Sequence, residues 1–135
     1  YYAVIGAPKQ VPLWACGPTV WRDENRGGSA EILDDAAQFA RLRIPLTSLM
    51  VDRPYSNGSN LWSKMDFSPA FAHPEKWIKT LDSVHGLKFV TWIAPATFAD
   101  KDFPGLLSGS FGYIDLTHPE ALRFWGNRLS KEQYA

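Results

Sequence analysis

Apolar and polar positions divide the chain into extended and helical segments. Apolar runs at 11–21, 44–51 and 87–95 predict three strands. The second run, IPLTSLMV, is nearly continuous, which is typical of a strand covered on both faces in a parallel sheet. The three runs are therefore candidates for neighbouring parallel strands.

The segment between the first two runs has helical periodicity. Ile32, Ala36 and Ala40 recur every four residues and place an apolar face on a helix. Ser29 is the predicted N-cap, because a serine hydroxyl can accept a hydrogen bond from a free backbone amide of the first turn.

A second helix is predicted between the second and third runs. Pro74 suits the first turn of a helix, and Gly86 suits the left-handed position that follows the last turn. The predicted buried stripe of this helix consists of Trp77, Ile78, Leu81 and Val84. A third helix is predicted near Pro119, after a loop at 96–111 and the short extended segment GYIDL.

Alternation of strands and helices is typical of an α/β protein. Its strands are expected to be parallel and joined by right-handed crossovers. In such sheets and barrels, functional groups lie on the loops after the carboxyl ends of strands. That rule selects residues 21–23, 52–53 and 92–97 as candidate site segments.

Composition limits the class of partner. The chain has 135 residues, enough for one domain with a hydrophobic core. Its 14 basic and 14 acidic side chains give zero net charge, so there is no basic field for nucleic acid and no charged run for a membrane surface. No apolar run reaches the ~20 residues of a membrane span. We therefore expect neither nucleic acid nor a membrane as partner.

No cofactor or metal is expected from the motifs. His73, His85 and His118 are far apart and lack the spacing of metal ligands. No glycine-rich phosphate-binding motif occurs. The single cysteine, Cys16, is interpreted as a small buried apolar side chain, and a lone cysteine excludes an internal disulfide.

Four motifs follow one another along nearly the whole chain. They are VPLWACG, IPLTSLMVDRPY, GLKFVTWIAP and GYIDLTHPEALRFW. In this order they resemble the first part of the catalytic barrel of glycoside hydrolase family 31. The loop after the second barrel strand of that family is similar to the segment containing Trp62, Met65, Asp66, Phe67 and Phe71.

The resemblance implies an α/β fold that is part of a (β/α)8 TIM barrel. The chain would supply the first three strands with their helices and the segment that leads to strand four. The implied function is that of a retaining α-glycosidase acting on an α-linked saccharide, such as a glucoside, xyloside or galactoside. Such an enzyme uses two carboxyl groups, a nucleophile and an acid/base.

The resemblance also implies which parts of the enzyme are present. In the family, both catalytic aspartates lie on later strands, whereas this chain ends at SKEQYA. We therefore expect residues 1–135 to be the N-terminal half of the barrel, a fragment that is inactive alone. A partial barrel leaves strand edges unpaired. The expected partner is therefore the remainder of the barrel or a second copy of the chain.

Asp52 is the first candidate site residue. The resemblance implies that it binds hydroxyls of the sugar in the −1 subsite, and an ionised carboxylate accepts strong hydrogen bonds. From the residues alone, the simpler interpretation is an aspartate that ends a strand and either pairs with Arg53 or caps a turn.

Trp92 matches the family position at the end of the third strand, near the same sugar. An indole offers a flat apolar face and one N–H donor to such a ligand. The alternative is a core tryptophan, because its neighbours Val90 and Ile93 are expected in the core.

Three further aromatic residues are candidates for sugar binding. Trp21 follows the first strand, where the family carries groups that line the subsite, although WRDEN is equally typical of an exposed charged loop. Tyr55 and Trp62 lie in the loop after Asp52, among amide side chains that suit carbohydrate, although YSNGSN is also typical of turns.

Two other interpretations of the whole chain stay open at this point. One is a carbohydrate-binding or scaffold module that performs no catalysis. The other is an unrelated small α/β domain whose motifs reflect the general composition of strand–helix–strand units.

Overall fold

The structure is a computed structural model, and the residues that it describes are 1–52, 55–56, 67–95, 105 and 112–130. Three strands form one parallel sheet in the order β1, β2, β3. Strand β1 is Thr19–Arg22, strand β2 is Ser48–Val51 and strand β3 is Lys88–Thr91. The prediction of three neighbouring parallel strands is confirmed.

Helices lie between and after the strands. Helix α2, Gly28–Arg41, connects β1 to β2, and helix α3, Pro74–His85, lies between β2 and β3. Helix α4, Pro119–Ser130, follows β3, and the short helix α1, Tyr2–Ile5, precedes β1. Among the described residues, Leu13–Cys16 and Pro69–Phe71 form short 3₁₀ helices. Cys16 is exposed at the end of the first of them, so its predicted burial is wrong.

One face of the sheet packs against α2 and α3 and forms the core. The core is held by van der Waals contact and by removal of apolar surface from water. Its buried side chains are Ile32, Ala36, Leu49, Val51, Tyr55, Phe71, Trp77, Leu81 and Leu87.

The opposite face of the sheet is defined by the alternation of side chains along each strand. Leu49 and Val51 point into the core, so the residues beside them on β2 point the other way. We call this second surface the inner face. Its members, from the register of the three strands, are Thr19, Trp21, Ser48, Met50, Asp52, Lys88, Val90 and Trp92.

The register brings the carboxyl ends of the three strands to one edge of the sheet. Arg22 pairs with Val51, which pairs with Thr91 on its other side. The pairing continues one residue further, because the amide of Asp52 donates to the carbonyl oxygen of Arg22 at 3.1 Å. The amide of Trp92 donates to the carbonyl oxygen of Val51 at 3.3 Å. Residues that follow the strands therefore lie together.

Prolines make the strands shorter than the apolar runs predict. Within 11–21, only the last part is strand, because a 3₁₀ helix follows Pro12 and Pro18 precedes the first paired residue. Strand β2 likewise begins after Pro45. Proline has no backbone N–H to donate to a sheet, so it limits pairing to the residues beyond it.

Ser29 is not the N-cap of α2, so that prediction is wrong. The helix begins at Gly28, with Gly27 in the N-cap position and no side-chain cap from it. The amide of Gly27 instead donates to Oε2 of Glu31 at 2.8 Å. Gly28 has a left-handed backbone, with φ of 64°, and a Cβ there would lie 2.1 Å from the carbonyl oxygen of Ala70. The helix start is therefore set by close packing against 69–71.

The predicted boundaries of α3 are confirmed, but one residue of its stripe is not. The helix runs from Pro74 to a left-handed Gly86, as predicted. Val84 is 69% exposed, so its predicted burial is wrong. After the Gly86 turn the amide of Leu87 donates to the carbonyl oxygen of Leu81, and Leu87 is buried instead.

No helix among the residues that the structure describes is long and apolar enough to cross a membrane.

Candidate functional site

Asp52 is the central residue of the candidate site, at the carboxyl end of β2. It is 6% exposed, and burial of a carboxylate is unfavourable without polar partners. Its Oδ2 atom accepts a hydrogen bond from Nε1 of Trp21 at 3.0 Å. Its Oδ1 atom is also buried and has no hydrogen-bond partner among the described residues. The site therefore contains one buried carboxylate oxygen that can still accept a hydrogen bond.

Two tryptophans accompany Asp52 on the inner face. Trp21 pairs in register with Met50 and is 60% exposed. Trp92 follows β3 two residues after Val90, so it lies on the same face, and it is 36% exposed. Trp92 is thus partly buried on this face, and the choice between sugar contact and a core position stays a prediction. The structure brings both indoles to the edge of the sheet that carries Asp52.

The polar groups at the other end of the inner face are satisfied by each other. The hydroxyls of Thr19 and Ser48 are hydrogen-bonded, with 2.5 Å between Oγ1 and Oγ. Ser48 is buried. Thr19 and Ser48 are register partners at the amino ends of β1 and β2. The unmet acceptor of Asp52 is thus a feature of the carboxyl edge, where ligands of such sheets bind.

Arg22 does not provide a cationic partner for Asp52, although it is adjacent to Trp21 in sequence. It alternates to the helix-covered side of β1, where it forms an ion pair with Glu31 of α2. Its Nη1 atom also donates to Oδ1 of Asp35 at 3.2 Å. The guanidinium therefore ties the end of β1 to α2.

Within that cluster, the positive charge of Arg22 does not bring the pKa of Asp35 back to its usual value. Burial raises the pKa of Asp35 above its usual 3.8, and the nearby charges of Glu31 and Asp34 act in the same direction. The guanidinium of Arg22 lowers the pKa but does not outweigh burial. The cluster therefore supports the fold behind the site and does not reach its inner face.

Tyr55 lies close to Asp52 in sequence but packs in the core. It is 1% exposed, and its ring meets that of Phe67 edge to face, with 5.7 Å between centroids. Ser68 lies beside Tyr55, because its backbone amide donates a hydrogen bond to the carbonyl oxygen of Tyr55 at 2.7 Å. Direct contact of Tyr55 with a sugar stays a prediction.

Three predicted features lie outside the described residues. The first is the loop predicted at 96–111, apart from Gly105. The second is Trp62, which was predicted to bind sugar, and the third is the pairing of Asp52 with Arg53.

Asn25 is a polar residue of the same edge that sequence reasoning missed. It lies in the loop between β1 and α2 and is 2% exposed. Its Oδ1 and Nδ2 atoms are buried, and within the described part of the chain neither has a hydrogen-bond partner. Nothing in WRDEN distinguishes this asparagine from an ordinary turn residue, since its burial results from the packing of the loop.

The described residues contain no group of three or more His, Cys, Asp or Glu side chains arranged to hold a metal ion. The described side chains at the carboxyl edge include one buried carboxylate, Asp52, and two tryptophans, Trp21 and Trp92.

Comparison with known proteins places this chain in a family. Residues 8–135 match the family described as the glycosyl hydrolases family 31 TIM-barrel domain. The chain belongs to glycoside hydrolase family 31. The suspected resemblance, and with it the assignment to an α/β partial TIM barrel, is confirmed. The three-stranded parallel sheet with its helices is open, as expected for part of such a barrel.

Two relatives illustrate the match to family 31. A probable glucan 1,3-alpha-glucosidase of Arabidopsis thaliana is 28% identical over an alignment 158 positions long, gaps included, which covers 99% of this chain and 16% of the relative. A family 31 alpha-glucosidase from Bacteroides thetaiotaomicron has a similar fold, with a TM-score of 0.65 at 18% identity. The similarity covers 92% of this chain and 24% of that structure. The chain thus spans less than a quarter of the length of either protein.

Proposed function

We propose that residues 1–135 form the N-terminal half of the catalytic barrel of a retaining α-glycosidase. In this proposal the chain supplies part of the −1 subsite, and the substrate is an α-linked glucosyl saccharide. Membership of family 31 supports the reaction class. The name of the Arabidopsis relative, a probable glucan 1,3-alpha-glucosidase, supports a glucan as the substrate class.

The observation that carries this proposal is the unmet Oδ1 atom of Asp52. A buried carboxylate oxygen without a partner is unfavourable, so a site that contains one favours a ligand with a hydrogen-bond donor. A sugar hydroxyl is such a donor, and its hydrogen bond to a carboxylate is charge-assisted.

The aromatic neighbours suit the rest of a sugar ring. Pyranoses have an edge of hydroxyls and faces of C–H groups, and an indole provides a flat apolar surface for those faces. Trp21 and Trp92 are both partly exposed at the edge where Asp52 lies. A ligand held between carboxylate and indoles would therefore satisfy both kinds of surface.

Catalysis requires groups that the described inner face does not contain. A retaining glycosidase needs two carboxyl groups about 5–5.5 Å apart. Among the described residues, the inner face has one carboxylate, Asp52, and that is already bonded to Trp21. We assign Asp52 to binding, and we assign the nucleophile and the acid/base to the later strands that carry them in the family.

The open sheet supports association with further strands. Within the described sheet, β1 and β3 each pair with β2 alone, so each has a free edge. Free edges favour pairing with additional strands. In the proposal the remainder of the barrel fills this role; a second copy of the chain would be detected by size-exclusion chromatography of the 135-residue polypeptide.

Asp52→Asn in the full-length enzyme tests the proposal. Asparagine keeps the shape but loses the charge that strengthens the bond to a sugar hydroxyl. Hydrogen bonds to charged groups contribute about 1.5–3 kcal/mol, so kcat/KM for p-nitrophenyl α-glucoside should fall about 10- to 100-fold.

Asp34→Asn is the matched control for this experiment, since Asp34 is an exposed aspartate of α2. Its kcat/KM should equal that of the wild type. If Asp52→Asn also retained wild-type kcat/KM while remaining folded, Asp52 would not belong to the sugar site.

A second candidate, a carbohydrate-binding module without catalysis, is favoured by the same single carboxylate. A glycosidase hydrolyses its bound α-glucoside, whereas a binding module only binds it. A full-length protein that binds α-glucan through Asp52 but hydrolyses no α-glucoside would establish the binding module and exclude the glycosidase.

A further inference from the structure

We propose that Trp21 is a positioning residue for Asp52. Its indole N–H holds one carboxylate oxygen, so that the other, Oδ1, is the oxygen presented to the sugar. This inference rests on the proposed role of Asp52 in sugar binding and adds the residue that orients it.

The position of the two residues makes this contact a connection between neighbouring strands. Trp21 is in register with Met50, yet its side chain reaches along the inner face to Asp52, two residues beyond. The contact between Nε1 and Oδ2 is 3.0 Å long. Trp21 belongs to β1 and Asp52 follows β2, so the orientation of the carboxylate depends on the pairing of these strands.

The chemistry of the indole makes the contact directional. The indole nitrogen is a donor and has no acceptor capacity, so it can serve only an oxygen that is free to accept. The terminal torsion of an aspartate is broad and roughly two-fold, so an unanchored carboxylate can rotate and exchange its two oxygens. The bond from Trp21 opposes that rotation and leaves Oδ1 as the unmet acceptor.

The exposure of the two residues shows which of them is held by packing. Asp52 is buried, whereas Trp21 is 60% exposed. A ring with so much exposed surface is weakly fixed by its neighbours, so the hydrogen bond orients the indole as well as the carboxylate. The pair is therefore preorganised as a unit, which reduces the entropy that a ligand must remove on binding.

A double-mutant cycle tests whether Trp21 acts through Asp52. The full-length enzyme is prepared as wild type, Trp21→Phe, Asp52→Ala and the double variant, and kcat/KM is measured with p-nitrophenyl α-glucoside. Phenylalanine keeps an apolar ring and removes the donor. Loss of one orienting hydrogen bond should lower kcat/KM about 3- to 10-fold. In the Asp52→Ala background, which offers no side-chain oxygen to the indole N–H, Trp21→Phe should have little further effect, because coupled residues are not additive.

Trp14→Phe is the matched control, since Trp14 is a partly exposed tryptophan that precedes β1 and lies outside the inner face. It should leave kcat/KM unchanged in both backgrounds. Circular dichroism of each variant verifies that the folded fraction is the same.

Deoxy substrates provide a readout that a purely structural role would not alter. A set of monodeoxy glucosides identifies the hydroxyl on which the effect of Asp52→Asn depends. On the glucoside that lacks this hydroxyl, the effect of Trp21→Phe should disappear as well. A persistent loss on that substrate would overturn the proposal.

The outcomes separate this inference from the proposed function. If Asp52→Asn impairs turnover but Trp21→Phe does not, or if the two effects are additive, Trp21 is not a positioning residue and the role of Asp52 stands. If Asp52→Asn has no effect, the proposed function fails and the inference fails with it.

Discussion

The two faces of the sheet differ in how completely their side chains are satisfied. On the helix-covered side, Leu49 and Val51 are fully buried in a continuous core. On the inner face, Trp21 and Trp92 remain partly exposed, and a buried oxygen of Asp52 has no partner among the described residues. The helix-covered side therefore holds the sheet together, while the inner face retains the surface and acceptor that a ligand or further strands can satisfy.

The same contrast appears between two tryptophans. Trp77 of α3 is buried, its ring lies edge to face on Phe89 with centroids 4.6 Å apart, and its Nε1 atom donates to the carbonyl oxygen of Phe71 at 3.4 Å. Trp92 lies on the opposite side of β3 and is partly exposed. Tryptophan is thus packed in the core on one face of the sheet and partly exposed to solvent on the other.

The largest expected difference in stability is between two separate truncations, Trp77→Ala and Trp92→Ala. Trp77→Ala should lower the free energy of unfolding by about 3–5 kcal/mol, because it removes a buried ring from the core. Trp92→Ala should lower it by only about 1 kcal/mol, as is typical of partly exposed positions. Urea unfolding followed by circular dichroism measures both. Equal losses would show that the inner face contributes to stability as much as the core does.

A second comparison uses two glycines of different surroundings. Gly28→Ala should destabilise the protein by about 2 kcal/mol or more, since alanine is strained at a left-handed φ and its Cβ would collide with the carbonyl oxygen of Ala70. Gly126 lies in α4, and outside its own helix turn no heavy atom of the described residues lies within 4 Å of the position that a Cβ would take there. Gly126→Ala should therefore stabilise the helix by about 0.5–1 kcal/mol. Thermal unfolding distinguishes them by opposite shifts in Tm.

A smaller effect is expected at the satisfied end of the inner face. Ser48→Ala removes the hydroxyl that bonds to Thr19, and it should lower the free energy of unfolding by about 1 kcal/mol. Ser83→Ala, at an exposed position of α3, is the control and should be neutral or slightly stabilising, because alanine has the higher helix propensity. A neutral Ser48→Ala would show that this bond contributes nothing to the inner face.

The smallest effect is a pH dependence behind the site. Burial raises the pKa of Asp35 above 3.8 in the folded protein, so the folded state binds this proton more tightly than the unfolded state does. The contribution of Asp35 to stability is therefore greatest below 3.8 and declines as the pH rises through the folded pKa. Because asparagine has no titratable proton, the variant Asp35→Asn lacks this contribution to the pH dependence.

Urea unfolding of the wild type and of Asp35→Asn across this pH interval measures that dependence. The stability of Asp35→Asn relative to the wild type should increase as the pH rises from below 3.8 to neutral. The opposite trend would mean that the pairing with Arg22 outweighs burial, and that the cluster is an ion pair of the ordinary stabilising kind.

The sheet could be predicted from the sequence because its main determinants are local. The apolar run before Asp52 has the length and continuity of a buried parallel strand, and Pro74 and Gly86 delimit α3 through their own backbone preferences. The strand ends were less predictable, because they depend on where proline interrupts pairing with a neighbour. The start of α2 depends on contact with 69–71, which no local preference of Ser29 reveals.

The chemistry of the site divides in the same way. The order of the apolar runs is enough to place Trp21, Asp52 and Trp92 at the ends of three successive strands. It does not show that Trp21 donates to Asp52, that Arg22 turns away to α2, or that Asn25 is buried. These contacts depend on strand register and on which face each side chain takes, and both are set by packing between segments distant in sequence.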